Sequence, residues 1–252
     1  MKTDSGSHAD QATIWHGTRV AITGGTSGLG RALVNILLDD GAEVAFIARN
    51  QENVEGVVRQ RPESHGIVGD VSRKNDIYSI ATQILGALGG VDLLINNASS
   101  LGPVPLVPLG DTNCEDLELT LQTNLLGPFR LTKALLGSLA ATAREGGHPI
   151  VLNISSDAAI NAYPNWGAYG ASKAALHHLS HIWDQELSPL GIRVLSLDPG
   201  DMDTPLHSLA IPDADPSTLT SPESAARELI AKIEEVLFAK EGAPKATEAA
   251  IQ

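Results

Sequence analysis

Four side chains in this sequence have the types and spacing to move a proton at a carbon-bound oxygen. Tyr169 and Lys173 are four residues apart, Ser156 precedes the tyrosine by 13 positions, and Asn124 lies further upstream. A carbonyl reduced by hydride develops negative charge on its oxygen and then needs a proton. A tyrosine can supply one, but its unperturbed pKa is about 10. A nearby cation favours the phenolate and lowers that value. Residues i and i+4 share a helix face, so Lys173 is expected to act on Tyr169 and also to hold a ribose hydroxyl. Ser156, at a strand end on the same edge, is expected to donate to the reacting oxygen. Positioned acid–base groups of this kind typically contribute about 10²–10⁴-fold in rate.

Asn124 adds a backbone argument. It stands four residues before Pro128 in a helical pattern spanning Glu115–Arg144. Proline has no N–H to offer the Asn124 carbonyl, and its ring pushes that carbonyl away. The helix is expected to kink there and to free an oxygen for a water linking Lys173 to bulk solvent.

The hydride donor must be held beside these groups. Upstream runs Thr23-Gly24-Gly25-Thr26-Ser27-Gly28-Leu29-Gly30, after one apolar run and before a helical pattern. Glycines let the backbone turn tightly and approach a pyrophosphate closely. The helix start then presents free N–H groups and the positive end of its dipole. A strand before and a helix after are the context in which such a run binds a dinucleotide. The end of the second strand, Ile47-Ala48-Arg49-Asn50, offers Arg49 and no carboxylate. A carboxylate there would bind a ribose 2′-hydroxyl, whereas an arginine favours a 2′-phosphate. NADP(H) is therefore the expected cofactor, ahead of NAD(H).

These residues need a scaffold that brings them to one edge. Val20-Ala21-Ile22, Val44–Ile47, Ile67-Val68, Val91–Ile95, Ile150–Ile154 and Val194–Leu197 are short apolar runs, as in strands covered on both faces. Helical patterns separate them, most clearly Glu115–Arg144 and Trp166–Leu187. The alternation predicts an α/β fold: a doubly wound parallel sheet of Rossmann type, three layers in one domain. Right-handed crossovers put the strand C-termini on one edge, where ligands bind. Gly24, Asn96, Ser156 and Pro199 each fall at or just after such an end. Two proline-rich stretches, Ser99–Gly110 and Asp201–Ser221, are expected to wall a substrate pocket together with Ala158, Tyr163 and Trp166. The last helix is expected over Pro222–Ala239. Residues 1–11 read as a flexible extension, 12–240 as the dinucleotide-binding and catalytic domain, and 241–252 as a tail.

Composition narrows the partners. The 252 residues carry a formal charge of −13, which argues against nucleic acid, because the phosphate backbone demands a basic face. A single cysteine, Cys114, excludes an internal disulfide and fits a reducing compartment. The first residues lack the apolar region of a signal peptide, and no run is long enough to span a bilayer. A cytoplasmic location is expected. His177, His178 and His181 share a helix with Tyr169, but no third ligand completes a zinc pattern, so no metal is expected. Asp157, Asp201 and Asp203 flank the proposed mouth and read as solvated carboxylates.

The sequence resembles the short-chain dehydrogenase/reductase family. The matching residues are Thr23-Gly24 through Gly28-Leu29-Gly30, Asp70-Val71, Asn96-Asn97-Ala98, Asn124, Ser156, Tyr169, Lys173, and Pro199-Gly200 with Thr204. The resemblance implies an oxidoreductase that interconverts a small ketone or aldehyde and an alcohol. It implies that Gly24, Thr26, Ser27, Gly28, Leu29 and Gly30 hold the cofactor, with Asp70 and Val71 at its adenine end. Asn96 and Ala98 would line the ribose beside Asn97, and Thr204 would meet the nicotinamide carboxamide or the phosphates. Three departures stand out. Ser99 replaces a usual glycine, and Ser27 stands where many NADP-preferring members are basic. The usual last strand is missing, which leaves homodimer and homotetramer both open. Rival readings are a non-catalytic NAD(P)-binding sensor or scaffold, an NAD-dependent alcohol dehydrogenase, and an epimerase or dehydratase that retains its cofactor.

Overall fold

The computed structural model describes residues 13–238, so the expected extension at 1–11 and the tail at 241–252 lie outside the described residues. In chain order it contains β1 (Arg19–Thr23), α1 (Gly28–Asp39), β2 (Glu43–Ala48), α2 (Gln51–Gln60), β3 (His65–Val68), α3 (Ile77–Leu88) and β4 (Leu93–Asn96). Then follow α4 (Cys114–Leu121), α5 (Gly127–Arg144), β5 (Ile150–Ile154), α6 (Gly167–Leu187), β6 (Arg193–Leu197), α7 (Pro205–Ala210) and α8 (Pro222–Phe238). The six strands form one parallel sheet in the order β3-β2-β1-β4-β5-β6. Among the described residues no strand follows β6.

Period-2 alternation explains why continuous apolar runs serve here. Val20 and Ile22 of β1 pack with α1, α2 and α8 on one face of the sheet. Ala21, between them, packs with α3, α5 and α6 on the other. The central strands β1, β4 and β5 therefore bury almost every side chain, and burying a Val or Leu contributes about 1.5–3 kcal/mol. α1 ends where Gly41, at φ 87°, takes the left-handed conformation that stops a helix. No helix among the described residues is long and apolar enough to cross a membrane.

The strand order reverses between the parallel neighbours β1 and β4, and the two strand ends are tied together there. The Thr23 hydroxyl accepts from the backbone N–H groups of Asn97 and Ala98, each at 3.0 Å. Asn97 Nδ2 donates back to the Thr23 carbonyl at 2.9 Å. This stitching fixes the crevice at the topological switch, the usual binding edge of such a sheet.

The pattern Glu115–Arg144 is helical throughout, but it is not a uniform α-helix. α4 ends at Leu121, a π-helical turn spans Gln122–Leu126, and α5 begins at Gly127. Pro128 sits in the first turn of α5, so the backbone absorbs its missing N–H by widening the preceding turn. The stretch Asp201–Ser221 carries ordered structure of its own. The Thr204 hydroxyl caps α7 by accepting from the His207 N–H at 3.2 Å, and Met202 bridges to Thr220.

Candidate active site

A cleft of about 800 Å³ opens at the C-terminal edge of the sheet. The glycine turn contributes Gly24, Thr26, Ser27, Gly28, Leu29 and Gly30 to its lining. From the β2–β3 side come Arg49, Asp70 and Val71, and from the end of β4 come Asn97 and Ala98. From the β5–β6 side come Ser156, Tyr169, Lys173, Pro199, Gly200 and Thr204. The expected walls Ala158, Tyr163 and Trp166 also line it. Leu101 and Leu206 join Ala158, Tyr169 and Trp166 in a small apolar cluster.

The residues present fit a dinucleotide. The N-terminus of α1 carries no side-chain cap and no acidic residue in its first turn, so its free N–H groups and dipole favour an anion. Gly28 has φ +49°, and a Cβ added there would lie 3.1 Å from Thr204 Cγ2. An L-residue in that conformation costs about 1–2 kcal/mol. Gly28→Ala is therefore expected to lower the melting temperature by a few degrees and to weaken dinucleotide binding. Thermal unfolding and a fluorescence titration check this, and wild-type values in both would refute it. Arg49 forms no ion pair among the described residues, so its charge is available to a ligand.

Tyr169 and Lys173 project from the first turns of α6 and are almost buried, at 8% and 3% exposure. Burial pushes the Tyr169 phenol up to about 12. The Ser156 and Ser99 hydroxyls pull it down, while Asp198 and Asp157 push it further up. Burial likewise pushes the Lys173 ammonium down to about 8, against the opposing pull of Asp198. Lys173 Nζ donates to the Ile154 carbonyl at 2.8 Å and lies 5.5 Å from the centre of the tyrosine ring. In the free protein the net shift of the phenol is upward, because desolvation disfavours the phenolate, and burial disfavours the Lys173 ammonium as well.

Asn124 is only 1% exposed and does not line the cleft. Its side chain ties three segments together. Nδ2 donates to the Ser100 carbonyl and to Ser172 Oγ, both at 2.8 Å, and Oδ1 accepts from the Ser100 N–H at 2.7 Å. Ser172 in turn donates to the Tyr169 carbonyl at 2.6 Å. Asn124 therefore fixes the loop after β4 against the helix that bears Tyr169.

Asn96 does not line the cleft either. It is 3% exposed, and its Nδ2 donates to Asn153 Oδ1 at 2.8 Å. Asn153 continues the buried ladder to Ser180 at 2.8 Å. Sequence reasoning passed over Asp198, which does line the cleft. Asp198 sits directly before the Pro199-Gly200 pair, and that position was the available signal. On the far part of α6, His177 Nε2 and His181 Nε2 are 3.1 Å apart. No group of three or more potential metal ligands occurs among the described residues.

Known proteins share this fold. A family model described as short chain dehydrogenase matches residues 18–214. L-xylulose reductase from Bos taurus is 29% identical over 197 residues, covering 78% of this chain and 77% of that protein. The 3-ketoacyl-(acyl-carrier-protein) reductase from Brucella melitensis, solved with NADH, superposes with a TM-score of 0.80 at 25% identity. That match covers 86% of this chain and 90% of the other. A short chain dehydrogenase from Shigella flexneri, solved with NADP, gives 0.77 at 25% identity, over 84% and 89% of the two chains. With the glycine turn, the tyrosine–lysine helix and the switch-point cleft all present on one sheet, the chain belongs to the short-chain dehydrogenase/reductase family of NAD(P)-dependent oxidoreductases.

Proposed function

We propose that the protein is an NADP(H)-dependent reductase of ketones or aldehydes, with Tyr169 as general acid. The observation that carries this reading is the convergence of Ser156, Tyr169 and Lys173 on the cleft that also receives the uncapped start of α1. Gly24, Thr26, Ser27, Gly28, Leu29 and Gly30 would hold the pyrophosphate, with Thr204 against them. Asp70, Val71, Asn97, Ala98, Pro199 and Gly200 would line the remainder of the cofactor. When bound, the nicotinamide supplies the hydride.

The protein's own residues supply the rest. A phenol held at about 12 is protonated throughout the neutral range. That is the state needed to donate a proton to a developing alkoxide. Ser156 Oγ offers a hydrogen bond to the same oxygen. Lys173 holds the ribose and lies next to Tyr169 on α6. Asn124 keeps the helix carrying both residues in register with the loop after β4, and we assign the water path toward Lys173 to its carbonyl, beside the π-helical turn.

Arg49 supports the choice of NADP(H), because no carboxylate stands with it at the end of β2. Initial rates over a carbonyl panel with NADPH and NADH test the reading. NADPH is expected to be preferred at least tenfold, which corresponds to about 1.4 kcal/mol. Arg49→Ala is expected to remove most of that preference. Comparable rates with both cofactors in the wild type would overturn it.

A further inference from the structure

We propose that Asp157, held by Tyr163, is a hook for a hydroxyl on the carbon next to the reacting one, so that the substrates are α-hydroxy ketones and the matching vicinal diols. This assignment rests on the carbonyl-reductase reading above and narrows its substrate class.

The geometry is specific to this part of the wall. Ser156 Oγ, which marks the reacting oxygen, donates to Asp157 Oδ1 at 3.2 Å. Tyr163 OH donates to Asp157 Oδ2 at 2.7 Å. Ser156 Oγ also accepts from the Ala158 N–H at 3.2 Å, so the serine and the carboxylate share one short turn. All three side chains line the cleft. The Ser156 hydroxyl as donor and Asp157 Oδ1 as acceptor, 3.2 Å apart, match a carbonyl oxygen and a hydroxyl on adjacent carbons once the serine proton turns from Asp157 to the carbonyl.

The carboxylate has capacity left. An ionised Asp accepts at about four lone-pair positions, and the two hydroxyls occupy two of them. Asp157 forms no ion pair among the described residues. Its two partners are both hydroxyls, and Tyr163 fixes the direction in which the free positions point. The cleft also has an apolar lining, with Leu101, Trp166 and Leu206. A substrate would lay its carbon skeleton against that wall and turn its hydroxyl edge to Asp157.

Three probes on one skeleton test this: acetophenone, 2-hydroxyacetophenone and 2-aminoacetophenone. The wild type is expected to favour the hydroxy ketone over acetophenone at least tenfold in kcat/KM, or about 1.4 kcal/mol. That lies in the range of a hydrogen bond to a charged group. Asp157→Ala is expected to bring the ratio close to one. Tyr163→Phe, which keeps the carboxylate but frees its orientation, is expected to give an intermediate ratio. The ratio compares two substrates on the same enzyme, so a general loss of folded protein does not move it. An undiminished ratio in Asp157→Ala overturns the hook, as does a wild type with no preference. A preference for the amino ketone overturns it as well, because the carboxylate would then select a cation. If the wild type reduces no carbonyl at all, the reductase reading falls and takes the hook with it. Turnover without hydroxyl preference removes the hook alone.

Discussion

Tyr169→Phe is expected to lower kcat by about 10²–10⁴-fold, the range for a positioned acid or base. The substitution removes one oxygen from a side chain that is 8% exposed, so packing against Trp166 and Leu101 is kept. Cofactor affinity is expected to change little, because the ribose contact assigned to Lys173 remains. The pH dependence distinguishes a proton donor from a packing residue. Burial holds the phenol near 12, so carbonyl reduction by the wild type is expected to be flat in Tyr169 ionisation through neutral pH. Alcohol oxidation needs the phenolate and is expected to rise with pH toward that value. In Tyr169→Phe both the rise and the bulk of the rate disappear together. Stopped-flow measurement of single-turnover reduction, alongside a cofactor titration, checks this. A variant that keeps wild-type turnover would remove Tyr169 from the mechanism.

The scaffold was legible because each of its signals is periodic or local. Continuous apolar runs separated by helical patterns can be buried on both faces only in a parallel sheet with helices above and below. The glycine turn is local too, and its neighbours β1 and α1 could be read from the same stretch. Side-chain direction at a strand end was harder. Asn96 and Asn97 are adjacent, so they face opposite ways, and one residue of parity decides which meets a ligand. Asn96 turned out to serve the buried ladder to Asn153, whereas Asn97 faces the cleft and stitches β4 to β1.

The side-chain role of Asn124 was not legible for a related reason. The proline four residues on does distort the helix, but the distortion is a π-helical turn, whose extra residue rotates every side chain before it relative to those after. Periodicity across Glu115–Arg144 therefore could not say that Asn124 points at Ser100 and Ser172. The tyrosine–lysine pair was found from spacing, yet its electrostatics were not. Spacing gives the separation of two groups along a helix, and burial sets the sign of each shift. Burial depends on what β5, β6 and the Ser99–Gly110 loop bring over the pair, and that is tertiary information.

Burial also makes Lys173 the residue where stability and function oppose each other. Lys173→Met is expected to raise stability at pH 7 while reducing turnover by about 10²-fold or more. The folded protein holds this ammonium at about 8 against 10.5 for an unburied lysine. At about 1.36 kcal/mol per pKa unit, keeping it charged at neutral pH costs the folded state about 3 kcal/mol. Methionine has similar length and no charge. Its substitution forfeits the 2.8 Å bond to the Ile154 carbonyl, a loss of about 1 kcal/mol. The net gain is then about 2 kcal/mol, or a melting temperature higher by about 4–8 °C for a chain of this size. The sign changes the pH dependence in a checkable way. Between about 8 and 10.5 the unfolded lysine is still protonated and the folded one is not. The unfolded state then binds more protons, so wild-type stability rises with pH in that window. The methionine variant lacks this rise, and its advantage is expected to shrink steadily as pH climbs through it. Above about 10 the buried Tyr169 acts in the opposite sense, because the folded phenol keeps a proton that the unfolded one loses. Both proteins carry that tyrosine, so it cancels in the difference. Thermal melts of the two proteins at neutral pH and at about pH 9.5, inside the window, measure the effect. A variant that melts lower than the wild type at neutral pH would show that Lys173 is held as a stabilising cation. On the mechanism proposed above, that cost to folding is offset by the service of the Lys173 charge to Tyr169 and the ribose during turnover.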